Sequence, residues 1–79
     1  MALKIRDLGV NSKGRVVGYT KSAKTYLDKV LAMGLTKGAE FTVTRVAPLG
    51  DPVEIKVRGY NMTLRKAEAD LLLVERRRK

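Results

Sequence analysis

The sequence has no histidine, no cysteine and no tryptophan. Without histidine, no side chain has an ordinary pKa suited to acid–base work near neutral pH. A carboxylate or lysine would have to be strongly perturbed to take that role. Neither a Ser-His nor a Cys-His nucleophile pair can be assembled. Ferrous, zinc and copper sites draw mainly on imidazole and thiolate, and both are missing. The lack of cysteine rules out disulfides, which suits a reducing compartment without requiring one. The eight Asp and Glu residues are scattered, with no calcium-loop spacing. Gly14 and Gly18 are not followed by the Gly-Lys-Ser/Thr of a phosphate loop. No enzyme, cofactor or dedicated metal site is therefore expected.

Long apolar runs are also missing. Met1 to Val10 mixes apolar and charged positions, so neither a signal peptide nor a membrane span is expected, and the location read from this is the cytoplasm. Aromatic residues are scarce: Tyr19, Tyr26, Tyr60 and Phe41 are the whole set. Tyr26 and Phe41 fit a core-facing pattern. That leaves too few rings for a stacking platform on single-stranded nucleic acid.

What the chain has is positive charge. Its 79 residues carry 17 Lys and Arg against 8 Asp and Glu, a formal +9. Such a balance favours an anionic partner (nucleic acid, acidic protein or anionic lipid), although it also serves solubility alone. The length suits one domain over residues 1–79, too small for a deep catalytic cleft. It ends in a basic tail, Arg76, Arg77, Arg78 and Lys79, the candidate contact for a membrane surface or another anion.

Leu3, Ile5 and Leu8 offer an apolar face before a turn at Asn11 to Gly14. Arg15 to Tyr19 reads as a short strand. Ser22 is placed to cap a helix from Ala23 to Met33. On that helix Tyr26, Leu27, Val30, Leu31 and Met33 form a stripe roughly 160° wide. Gly34 suits the left-handed position that ends a helix, with Leu35 folding back onto Val30. Gly38 marks a second turn. The remainder alternates as β-structure. Phe41, Val43 and Arg45 share one face of a strand and Thr42, Thr44 and Val46 the other. Val53, Ile55 and Val57 alternate with Glu54, Lys56 and Arg58. Gly59 marks a tight turn, and Met62 to Leu64 begins a further strand. Arg65 to Asp70 is enough for one helical turn, and Leu71 to Glu75 is a last strand. Five short strands with sharp turns in so few residues suggest a small, strongly bent barrel, with its edges closed or covered.

The connection from Ala47 to Pro52 is more particular than a hairpin needs. Pro48 and Pro52 bracket Leu49-Gly50-Asp51, fix their own φ and hold the preceding residues extended. The result is a stiff corner with Leu49 at its tip.

These motifs fall in an order that resembles the FeoA family, the small component of bacterial ferrous iron uptake. The helix ends in Met33-Gly34-Leu35, then comes Gly38. Arg-Val-Ala-Pro-Leu-Gly-Asp-Pro follows with its alternating strand, then Leu64-Arg65-Lys66, Ala69 and Val74. The resemblance runs from about Leu8 to Glu75. It implies a mostly β fold with a short helical insertion, an SH3-like β-barrel. It also implies a regulatory or accessory role toward FeoB, a membrane permease with a cytosolic GTPase domain. Related domains end metal-dependent repressors, but no repressor-like segment precedes this one in the sequence. Tyr26, Asp28 and Lys29 match no family motif, and the basic tail lies outside the family pattern.

The function expected is therefore non-enzymatic: an accessory or regulatory role in ferrous iron uptake through protein–protein interaction with the cytosolic region of a FeoB-like permease. Tyr26, Val30 and Met33, at the margin of the helix stripe, and Leu49 are the expected partner-binding residues. The tail adds a salt-sensitive attraction to an anionic membrane surface. The alternative is an RNA-binding small basic β-barrel, supported by charge and opposed by the aromatic count. Direct ferrous binding is opposed by the missing ligands. Oligomeric state is left open.

Overall fold

The alternating segments become five antiparallel strands. The computed structural model describes residues 3–21 and 24–77. A 3₁₀ turn at Ile5–Asp7 leads into β1 (Lys13–Tyr19), α1 (Lys24–Ala32), β2 (Glu40–Val46), β3 (Val53–Val57), β4 (Tyr60–Leu64), α2 (Lys66–Leu71) and β5 (Leu72–Arg76). The sheet order is β4-β3-β2-β1-β5. Each neighbouring pair is antiparallel. The mostly β architecture with a helical insertion is as expected, but the ladder does not close into a barrel. Among the described residues β4 and β5 do not pair; instead α2 runs from the end of β4 into β5 and buries Ala69 and Leu71 between them. A short helix satisfies its own backbone and supplies apolar cover, so it plugs the gap without a fifth ladder.

The core is drawn from every element. Val16, Val43, Ile55, Leu64, Leu72 and Val74 come from the five strands and are fully buried. Ile5 and Leu8 close one side, with Val30 and Leu35 from α1 and its exit. Gly14 is buried opposite Phe41, whose ring covers the place a side chain would take. Met33 and Met62 pack against this core while partly exposed.

Two local features depart from simple alternation. The register of β2 on β3 shifts between Val43 and Arg45. This bulge inverts the phase, so Arg45 is exposed and Val46 is half-buried, the reverse of the alternation expected there. At the far end of β3, Arg58 and Gly59 both have positive φ. They form a two-residue turn whose twist matches the strands it joins, with Tyr60 paired to Val57.

The end of α1 is built as its sequence indicates. Gly34 has φ of 90°. Its N–H donates to Leu31 O and the Leu35 N–H to Val30 O, both at 3.0 Å. This pair of bonds satisfies carbonyls that the helix leaves open. Leu35 and Val30 are both fully buried, which completes the apolar contact of this ending. The Ser22 cap and Ala23 lie outside the described residues.

Candidate functional site

The helix stripe divides into core and surface. Val30 is fully buried, so its side chain serves the core and is closed to any partner. This corrects its expected place at an exposed margin: Leu35 folds back over it through the helix-ending bonds. Tyr26 is 44% exposed and Leu31 38% exposed. Tyr26 is therefore a surface ring rather than a core one. Met33 is partly exposed and Leu27 half-buried. Tyr26 and Met33, the latter just past the end of α1, lie at one edge of the stripe and Leu31 at the other, about 140° from Tyr26, with Val30 buried between them.

α1 is tied to α2 by charge. Lys29 pairs with the carboxylate of Glu68, whose side chain is only 4% exposed against 58% for Lys29. The other Glu68 oxygen accepts the Arg65 N–H at 3.0 Å, at the start of α2. Burial alone pushes the Glu68 carboxyl up, but the Lys29 bond and the Arg65 N–H outweigh it and hold it below the usual carboxylate range. Tyr19 makes a further tie, its hydroxyl donating to Leu35 O at 2.8 Å. Burial raises the pKa of this phenol.

The corner between β2 and β3 presents Leu49, 95% exposed. Its backbone closes on itself: Gly50 N donates to Ala47 O at 2.8 Å and Ala47 N to Pro52 O at 3.1 Å. Asp51 Oδ1 accepts the Lys66 N–H at 3.0 Å, one of the open amides at the start of α2. The corner thus serves the fold through Asp51, while Leu49 touches nothing that the fold needs.

The basic tail is less free than a run of cations suggests. Arg76 belongs to β5, one residue beyond the strand end read from sequence. Its guanidinium donates to Asp7 O at 3.4 Å. The Arg77 N–H donates to Lys13 O at 2.8 Å. The Arg77 side chain pairs with Glu40 at 3.1 Å. Arg78 and Lys79 lie outside the described residues.

Sequence reasoning missed a second basic group, Lys13, Lys56 and Arg58, which lines a shallow cleft with Arg77. These residues stand at the polar positions of two alternating strands and the turn after β3. That signal shows that they point outward but not that they meet, because strand register is not written in either strand alone. Among the described residues no three His, Cys, Asp or Glu side chains come together as metal ligands do. No helix among them is long and apolar enough to cross a membrane.

The relatives of this chain are consistent with that geometry. The Clostridium acetobutylicum FeoA-like protein shares the fold with a TM-score of 0.86 at 33% identity, over 99% of this chain and 90% of that one. T. acidophilum IdeR gives a TM-score of 0.86 at 20% identity, over 96% of this chain and 34% of that one, a likeness of fold alone. A Porphyromonas gingivalis protein named Fe(2+) transport protein A/Fe(2+) transporter FeoB fusion protein is 40% identical over 47 residues. That match takes in 60% of this chain and only 6% of the much longer relative. The family model of the FeoA domain matches residues 3–76. With nearly its whole length matched, this chain belongs to the FeoA domain family.

Proposed function

We propose that this protein is a non-enzymatic accessory of ferrous iron uptake that acts in the cytoplasm by binding the cytosolic region of a FeoB-like permease. The observation that carries this reading is the Porphyromonas gingivalis relative, whose name joins the two components in one chain. Covalent joining holds two modules at high effective concentration, an arrangement that favours components acting on one another. The proposed contacts are Tyr26 on α1 and Met33 just past its end, with Leu31 on the other edge of the helix stripe, and Leu49 on the corner. These are the apolar side chains that the fold leaves open on α1 and at the corner. Val30 has no part in the contact.

The test is calorimetric titration with the cytosolic region of the FeoB protein from the same organism. Binding in the micromolar range is expected, weakened when Tyr26→Ala and Leu49→Ala are combined. Absence of heat at high micromolar concentration, with both proteins folded, overturns direct partnership.

A further inference from the structure

The register of the sheet assembles a line of side chains that no single strand reveals. Lys13 pairs with Thr42, Thr42 with Lys56, and Lys56 with Asn61. Directly paired residues share a face. Their neighbours along each strand, including Gly14, Phe41, Val43, Ile55 and Val57, are buried. The line therefore runs across β1, β2, β3 and β4 on the face turned away from the core. Lys13 and Lys56 stand two strands apart, roughly 10 Å at the usual strand spacing. Arg58 lies one step further on, in the turn after β3. The cleft beside them has a volume of about 240 Å³.

These three cations have no ion-pair partner among the described residues. Of the outward carboxylates nearby, Glu40 pairs with Arg77 and Glu75 with Arg15, while Glu54, two residues before Lys56 on β3, forms no ion pair with it. Like charges held on one rigid face repel, and an anion placed between them relieves the repulsion.

The composition of the face selects the kind of anion. Glu40 and Glu75 interrupt the positive field, which penalises a polyphosphate backbone and a flat anionic bilayer alike, whereas an extended peptide turns only every second carboxylate toward the face. No aromatic ring stands in the line to stack a base. Tyr60 pairs with Val57, so it belongs to the opposite face. Thr42 and Asn61 in the same line supply a hydroxyl and an amide suited to a peptide backbone. About three residues of extended polypeptide span the distance between Lys13 and Lys56. We infer that the outer face of β1, β2 and β3 binds an extended acidic segment of a partner protein, its carboxylates held by Lys13, Lys56 and Arg58. This surface is separate from the α1 and Leu49 contacts and stands whether or not the partner is a FeoB-like permease.

The probe is a short fluorescein-labelled oligoglutamate, titrated at low ionic strength and followed by anisotropy. Binding that falls as salt is added is expected. The Lys13→Ser/Lys56→Ser variant should bind about tenfold more weakly, two exposed pairs at the upper end of their usual strength. Lys24→Ser/Lys37→Ser removes the same charge from α1 and the turn after it and should weaken binding by less than about twofold. Amide spectra confirm that both variants stay folded. Three results overturn the inference: no oligoglutamate binding, equal loss in both variants, or tighter binding to oligothymidylate or to phosphatidylglycerol vesicles than to the peptide.

Discussion

Replacing Lys29 by methionine probes the tie between the two helices. The Glu68 carboxylate is buried while its ammonium partner reaches solvent. Stripping one member from a fully buried pair costs about 3–5 kcal/mol. An exposed pair contributes only about 0–1 kcal/mol. This pair falls between, and the Arg65 N–H still satisfies one oxygen of Glu68 after the change. The expected loss is therefore about 1–2 kcal/mol, close to that of leaving one buried acceptor unpaired. In a domain of this size it lowers the melting temperature by roughly 5–15 °C. The pH dependence gives the argument its sign. In the native protein the Glu68 carboxyl is held below its ordinary range. Its contribution is present above the unfolded pKa of about 4.3 and is lost as pH falls through the lower folded value. In the variant, burial faces one fewer opposing contact, so the carboxyl rises. The stability gap between the two proteins should then narrow between about pH 7 and pH 3. Urea unfolding followed by circular dichroism at both values measures it. A gap that is absent near neutrality, or that persists undiminished in acid, refutes the reasoning. In a Glu68→Gln background the Lys29 substitution should cost about 0.5 kcal/mol or less, since no buried charge is then left behind.

Gly14→Ala should lose about 1–3 kcal/mol in the same unfolding assay. The new methyl group would lie 2.6 Å from Phe41 Cζ and 3.1 Å from Leu8 Cδ1, both in the core. Gly18→Ala, on the same strand, meets only Leu73 Cδ1 at 3.7 Å and should cost distinctly less. Leu49→Ala should leave stability within about 0.5 kcal/mol of the parent. A drop approaching the roughly 2–5 kcal/mol expected for Leu35→Ala in the core would show that the corner packs against something in solution.

The features read correctly from sequence are those whose causes are local. Gly34 and Leu35 carry the whole helix ending within six residues, and Val53 to Val57 alternate without interruption. What escaped depends on contacts between distant segments. Nothing near Val43 announces the bulge that turns Arg45 outward, because a bulge is a property of two strands together. Val30 and Tyr26 lie one turn apart on the same side of α1, and only the fold-back of Leu35 decides that one is core and the other surface. The covalent neighbours of Asp51 say nothing of Lys66, fifteen residues on, whose amide it accepts. The outer line of Lys13 and Lys56 likewise needs β2 between them. Of the expected contact residues, Leu49 was legible because a tip between two prolines has nowhere to bury itself.

The place of β1 in the sheet has a consequence for how the chain is made. It is flanked by β2 on one side and β5 on the other, so a strand near the start of the chain is finished only by one near the end. Leu3 adds a further bridge to Val74. On the ribosome, a nascent chain complete through β4 still holds one bare edge of β1 and a core lacking Leu72 and Val74. Such long-range closure is slow compared with helix formation, and it leaves an unsaturated edge open to other chains in the interval. Synthesis of the final strand is thus the step that both completes the core and ends the period of exposure.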